Sequence, residues 1–407
     1  MPIPSAQSCR LETKFLSASC HGSSRHAPPR RLWALTVRPA SLSKLHSGFS
    51  RTNDRRWIHI CPVFLPPVLF TGLFVSLWIW KCAMLVVFQN KIIYMPGLPP
   101  NARSETIADY AHLCGGIRWR EEKTKASDGT SLGIAVATIT VPSTRGSAHT
   151  LDGKLRAHVY VLYFQGNASS IPPRLPDLSW VLHAISDGRD REPVPLELTF
   201  VCLSYRGYWT SKGRPSETGI RLDAEAGMRW VADQHQKAAG SSGEKPIVLV
   251  WGQSIGSGVA TNLAATGRLP DGLTIDGLLL ETPFLSVRAM VGVLYPQKWL
   301  PYQYLWPFLR NQLDSWSNLG LIAGSSEKGG GKLPNIFILE ADRDELVPKA
   351  HGEALFQRCR DLGIPVEKGA APVAYHSEAI ARGEGKKMAA QALMCLTKRA
   401  LDQQGRR

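Results

Sequence analysis

Three residues far apart in this 407-residue chain have the types that nucleophilic acyl transfer requires: Ser254, Asp344 and His376. Ser254 lies in Gly252-Gln253-Ser254-Ile255-Gly256, directly after the apolar run Ile247-Val248-Leu249-Val250-Trp251. Glycine two residues to either side of a serine lets the backbone turn sharply from strand to helix and lifts Oγ clear of its neighbours. In a chain with 36 glycines the pattern alone says little. The β-branched run before it and the small-residue stretch 257–265 after it supply the strand, turn and helix that the pattern needs.

A serine hydroxyl needs a base to take its proton and a carboxylate to hold that base in the right tautomer. A second buried-strand run, Asn335-Ile336-Phe337-Ile338-Leu339, leads into Glu340, Asp342, Asp344 and Glu345, so acids gather where open parallel sheets place their sites. Two histidines follow, His351 and His376. His376 comes after another short strand candidate, 364–367, and is the expected base. His351 opens a helix and reads as an ordinary helix-start histidine. Asp344 and Asp342 fall near one turn, and either can be the acid on this reading.

The main-chain N–H of Ile255, just after the nucleophile, is the first expected oxyanion donor, and losing such a donor costs on the order of 100-fold to 1000-fold in rate. The second should come from the loop Gln165-Gly166-Asn167-Ala168, after the apolar strand run 159–164, with the Asn167 N–H as the candidate. Asn167-Ala168-Ser169 is also the chain's one N-x-S/T sequon; a glycan there would block the site, so it is expected to be unused.

The stretch 204–217, SYRGYWTSKGRPSE, resembles the YRGYGxSxGxPSE signature of the membrane-anchored α/β-hydrolase-domain group, which includes fungal bud-emergence-type proteins, lysophospholipid lipases and protein depalmitoylases. The resemblance covers about residues 89–400 and includes a Y-x-P stretch, Tyr94-Met95-Pro96, after an apolar segment. It implies an α/β-hydrolase fold: a mostly parallel, doubly wound sheet with a helical cap insertion, preceded by a single transmembrane helix. Asp344 to Pro348 is similar to the group's D-x-x-V-P, which implies Asp344 as the triad acid. The loop 165–168 resembles its HGNA with Gln165 in place of histidine, so how that loop is braced differs. Trp209 stands where the group has glycine. Tyr208 and Trp209 are candidates for the rim of an acyl pocket, while Arg206 and Gly207 read first as a tight loop held by a buried arginine.

The elements that must position these groups alternate as the fold requires. Asp128-Gly129 signals a hairpin between 117–123 and 132–138, and parallel strands are expected at Val159, Leu198, Ile247, Leu278, Ile336 and Val366. An aromatic and proline-rich insertion, 284–320, sits where a cap would lie; it reads equally as an acyl-pocket lining and as ordinary helix packing.

Net charge is +15, and residues 1–56 contribute +8 of it with ten Lys/Arg against two Asp/Glu. That basic, Ser- and Pro-containing segment is expected to be a flexible tail, and mitochondrial targeting fits its composition as well. No aromatic interleaving or nucleic-acid module accompanies the charge, so no nucleic-acid partner is expected. A membrane anchor is expected within 57–88: residues 57–80 hold no Asp, Glu, Lys or Arg, longer than the roughly 20 residues a helix needs to cross a bilayer. Pro62, Pro66 and Pro67 shift the helix start toward Pro67, with Trp78, Trp80 and Lys81 near the interface. Basic residues before the span favour a cytoplasmic N-terminus, with the domain 89–407 in the lumen, and an endoplasmic-reticulum or other endomembrane location. Eight cysteines without CxxC or Cys/His ligand spacing point to no metal, and no cofactor is expected.

These features imply a serine hydrolase that cleaves acyl esters of lipids or lysophospholipids, or the thioester of an S-acylated protein. The alternative is a catalytically inactive scaffold that keeps the fold for protein interaction at a membrane. Oligomeric state is not encoded in any of these features.

Overall fold

The computed structural model describes residues 63–143, 157–188, 194–239, 244–329 and 332–405. The basic segment 1–56 and the start of the expected anchor, 57–62, lie outside them. In chain order the elements are α1 (Leu65–Tyr94), α2 (Ile107–Tyr110), β1 (Arg120–Lys125), β2 (Ser131–Val141), β3 (Ala157–Phe164), α3 (Leu175–Ser186), β4 (Leu196–Leu203), α4 (Glu217–Ala239) and β5 (Ile247–Gln253). There follow α5 (Ile255–Thr266), β6 (Gly277–Glu281), α6 (Val287–Leu294), α7 (Ser315–Gly329), β7 (Asn335–Ala341), α8 (Lys349–Asp361), β8 (Val366–Ala371) and α9 (Gly383–Gln403).

The strands form one eight-stranded sheet in the order β1-β2-β4-β3-β5-β6-β7-β8. β1 pairs antiparallel with β2 and β2 with β4, and the rest are parallel. All six expected parallel strands are present, and the Asp128-Gly129 turn closes the hairpin with Gly129 at φ 82°, left-handed backbone that glycine adopts freely. The central parallel strands β3, β5 and β6 are covered on both faces, which is why their sequences are largely apolar rather than alternating, whereas the edge strand β8 is exposed or half-buried over most of its length. In β3, Tyr160, Leu162 and Phe164 join one core, which also holds residues of α4, α5, α7 and α8. Val159, Val161 and Tyr163 join the other, with α3 and α9. This is the doubly wound α/β-hydrolase architecture.

The signature stretch behaves as the structural reading expects. Arg206 is buried and donates from Nη2 to Asp223 at 2.8 Å and from Nη1 to Asp128 at 2.7 Å, while Gly207 turns the chain at φ 85°. The guanidinium holds the Asp128 carboxyl down at about 2. Arg206→Ala would leave the fully buried Asp223 side chain without its counter-charge, keeping only the residue-206 main-chain N–H, and we expect a loss of roughly 3 kcal/mol in unfolding free energy, readable from urea denaturation.

Tyr208 and Trp209 depart from expectation. Both are buried, at 0% and 1% exposure, and they point into opposite cores, so neither forms a pocket rim. Trp209 has φ 36°, left-handed backbone that explains why glycine suits this position, and its Nε1 donates to the Glu105 carbonyl at 2.8 Å. Tyr208 donates its hydroxyl to the Tyr94 carbonyl.

Among the described residues one helix, α1, is long and apolar enough to cross a membrane by length and composition. Pro66 and Pro67 fall in its first turn, where missing N–H groups cost nothing. It continues past the expected end at Phe88 to Tyr94. The polar residues that end the apolar run bond to the segment after α6: the Gln89 Oε1 accepts from the Arg310 N–H at 2.7 Å, and the Asn90 Oδ1 from Asn311 at 2.7 Å. The boundary expected between residues 88 and 89 therefore lies inside a continuous helix.

Candidate active site

The elbow is built by contact. A Cβ on Gly252 would fall on the Gly256 carbonyl oxygen, and one on Gly256 would fall on the Phe164 carbonyl oxygen. Only glycine at both positions lets β5, the turn and α5 approach this closely. Ser254 sits between them at φ 52°, ψ −115°, with its own N–H donating to the Glu281 carbonyl at 2.8 Å. Such a strained backbone persists only where surrounding structure holds it, and it leaves the hydroxyl partly exposed.

His376 arrives from the loop after β8. Its Nε2 lies 2.9 Å from Ser254 Oγ, and its Nδ1 lies 2.8 Å from Asp344 Oδ2 and 3.0 Å from Oδ1. Asp344, in the turn after β7, also accepts the Val347 and Leu346 N–H groups at 2.8 and 3.0 Å. Burial alone would raise the Asp344 carboxyl; hydrogen bonds from His376 and the Val347 and Leu346 amides, with the charge of the imidazole, outweigh it and hold the group below the ordinary aspartate value. Asp342, two residues away, instead pairs with Lys349 at 2.8 Å on the surface. His351 is buried in α8, where burial lowers its basicity, and its Nδ1 has no partner among the described residues.

Two main-chain N–H groups, of Ile255 and Asn167, are the expected donors. Ile255 is the first residue of α5, where helix geometry leaves the N–H without an intrahelical acceptor. In the facing loop, the Gly166 N–H goes to Gln253 Oε1 at 3.3 Å, Ala168 N–H to the Tyr94 carbonyl at 3.3 Å and Ser169 N–H to the Leu98 carbonyl at 2.5 Å. The Asn167 N–H between them donates to no described residue. Gln165 braces this loop in a different way from a histidine: its Nε2 donates to the Ala168 carbonyl at 3.1 Å, closing a ring over residues 165–168. Ala168 and Ser169 sit at φ 57° and 59°, a conformation that contacts from outside the loop must hold.

Reasoning from sequence did not single out several groups around the site. Glu345 Oε2 accepts the His376 main-chain N–H at 2.9 Å. Beneath the serine, Arg174 donates to Glu281, to the Tyr163 hydroxyl at 3.2 Å and to the Ser377 carbonyl at 3.1 Å, next to His376. Glu281 also accepts from Trp251 Nε1 at 3.0 Å. Burial pushes the Glu281 carboxyl up, and Arg174 and Trp251 pull it back. The one local signal was an acid at the end of β6, in an otherwise apolar strand. Nothing in sequence ties it to an arginine 107 residues earlier.

The insertion after β6 packs against the end of α1. It and the last turns of α1 enclose a cavity of about 340 Å³, lined by Leu85, Gln89, Ile93, Val291, Tyr302 and Trp306 among others, and none of Ser254, Asp344 and His376 lines it.

No family model matches the chain. The α/β-hydrolase domain-containing protein WAV2 of Arabidopsis thaliana is 28% identical over 284 residues, which cover 68% of this chain and 77% of that protein. The protein bem46 of Schizosaccharomyces pombe is 30% identical over 199 residues, covering 49% and 56%. The lysophosphatidylserine lipase ABHD12 of Danio rerio is 32% identical over 201 residues, covering 49% and 47%, so the chain spans about half the length of these last two. Among solved structures, an α/β hydrolase from Vibrio vulnificus superposes with a TM-score of 0.50 at 19% identity, over 77% of this chain and 92% of that one, a likeness of fold.

Proposed function

Because the chain belongs with the bud-emergence-type α/β-hydrolase-domain proteins, we propose that it is a membrane-anchored serine hydrolase that cleaves a lipid acyl ester, with Ser254 as nucleophile. The observation that carries this reading is the 2.9 Å approach of His376 Nε2 to Ser254 Oγ, with a carboxylate held on the opposite ring nitrogen. In this mechanism Ser254 Oγ attacks the ester carbonyl while His376 takes its proton. Asp344 keeps the Nδ1 proton in place and stabilises the imidazolium. The oxygen of the tetrahedral intermediate accepts hydrogen bonds from the Ile255 and Asn167 N–H groups, and the C–O bond breaks as His376 returns the proton to the departing alcohol. Water then attacks the acyl-serine by the same path and releases a fatty acid. A lysophospholipid is the favoured substrate, since a relative bears the name lysophosphatidylserine lipase and α1 would hold the domain at a bilayer.

The test is fluorophosphonate labelling of the full chain in membranes, with the adduct located by mass spectrometry, followed by hydrolysis of a lysophospholipid and of an S-palmitoyl peptide. An adduct on Ser254 and preference for the lipid ester support the reading. Preference for the thioester would transfer the assignment to protein deacylation, and no adduct on folded protein would leave the inactive scaffold.

Gln165 gives a finer check. Gln165→Ala removes the bond to Ala168 and should lower kcat on the order of 10-fold to 100-fold, because a donor displaced by part of an ångström loses much of its worth. KM for a short ester should change far less, since the loop acts on the developing oxyanion.

A further inference from the structure

The cavity between α1 and the insertion has a chemistry of its own. Its walls are apolar, no Asp or Glu lines it, and its volume of about 340 Å³ falls within the range of small-molecule sites. One wall is the helix proposed to enter the bilayer. A 30-residue helix is about 45 Å long, against a hydrocarbon core of about 30 Å, so roughly its last ten residues must stand above the core. Those are the residues that line the cavity, from Leu85 to Ile93. Burial agrees: every residue from 63 to 81 is exposed, and burial against the domain begins at Cys82.

The other wall belongs to a surface built for an interface. Trp299, Tyr304, Trp306 and Phe308 of the insertion are exposed, Trp299 at 74%. Cations stand among them: Arg288 lies 3.9 Å over the Trp306 ring, Lys81 5.3 Å over Tyr302, and Arg310 donates to the Val86 carbonyl at 3.0 Å. Exposed aromatics beside cations at the level where a helix leaves the hydrocarbon match the headgroup region, and the cations complement lipid phosphates.

We propose that this cavity holds the acyl chain of a phosphate-bearing bilayer lipid, admitted sideways from the leaflet between α1 and the insertion. The inner end favours this orientation, since Ile93 in the cavity wall precedes Tyr94, whose carbonyl holds Ala168 of the oxyanion loop. The site deepens the lipid-ester reading and rests on it only for the chemistry after the lipid has bound.

The test uses the full chain carrying Ser254→Ala, in phosphatidylcholine and phosphatidylglycerol vesicles doped with a phospholipid bearing a diazirine on its acyl chain. Tryptic peptides separate the two environments: 57–81 carries the exposed helix residues 63–81, whereas 82–91 and 289–298 carry cavity-lining residues. A Cβ at Gly292, a lining residue, meets nothing within 4 Å, so Gly292→Trp can fill the space without strain. Light should place adducts on all three peptides, and Gly292→Trp should cut those on 82–91 and 289–298 at least fivefold while those on 57–81 persist. Gly292→Leu serves the same end if the tryptophan variant fails to fold. Adducts confined to 57–81 in the parent chain, or cavity adducts that neither Gly292 variant reduces, would overturn the proposal. Because Ser254 is absent throughout, this result is independent of whether the wild-type serine reacts with fluorophosphonate.

Discussion

Ser254→Ala and His376→Ala are each expected to lower kcat for ester hydrolysis by about 10⁴-fold to 10⁶-fold, and Asp344→Asn by about 10⁴-fold. In the proposed mechanism the three act as one device, so the double variant of Ser254 and His376 should be little worse than either single one. Asp344→Asn keeps the geometry but offers His376 the wrong tautomer, because an amide nitrogen can face Nδ1. The nearby alternatives discriminate. Asp342→Asn breaks only an exposed pair with Lys349, and His351→Ala alters α8, away from the serine; both should stay within about threefold of wild type. Steady-state kinetics on a short-chain ester reads all six variants. Activity lost with Asp342→Asn and kept with Asp344→Asn would exchange the roles of the two acids.

The second large effect is on stability. Arg174→Met should cost about 3 to 5 kcal/mol, because Glu281, whose side chain is completely buried, would lose its counter-charge and keep only the Trp251 donor. Combining it with Glu281→Gln should restore much of the loss, since replacing both members of a buried pair is far less damaging than orphaning one. Urea unfolding of both single variants and the double variant measures the coupling. Arg174→Met should also slow turnover, for the guanidinium fixes the Ser377 carbonyl beside His376. Equal losses in the single and double variants would show that Arg174 contributes through packing rather than charge.

The features readable in sequence were those that local physics demands. The elbow could be found because two carbonyl oxygens exclude any side chain at Gly252 and Gly256, and the central parallel strands because burial on both faces requires largely apolar runs. The tight loop at Arg206 could be found because an arginine beside a turn glycine rarely has another use. What escaped depends on partners distant in the chain. Polar Gln89, Asn90 and Lys91 read as the end of the anchor, yet two of them are consumed by residues 308–311 within an unbroken helix. Trp209 suggested a pocket rim because aromatic bulk near a site suggests a ligand; its left-handed backbone and its bond to Glu105 instead turn it inward. The basic segment 1–56 lies outside the described residues.

The carbonyls of Tyr94 and Leu98 are the acceptors that hold Ala168 and Ser169 in their left-handed conformations. In the proposed mechanism α1 is thus more than a tether: the segment at its end supports the loop that would supply the second oxyanion donor. Proteolytic cleavage within residues 82–90 would release a domain that keeps Ser254 but loses helical turns, with the Gln89 and Asn90 bonds to residues 310–311, that seat Tyr94 behind the loop 165–169. Solubilising the enzyme by trimming back to the domain edge incurs the same damage, whereas a cut before Lys81 spares it.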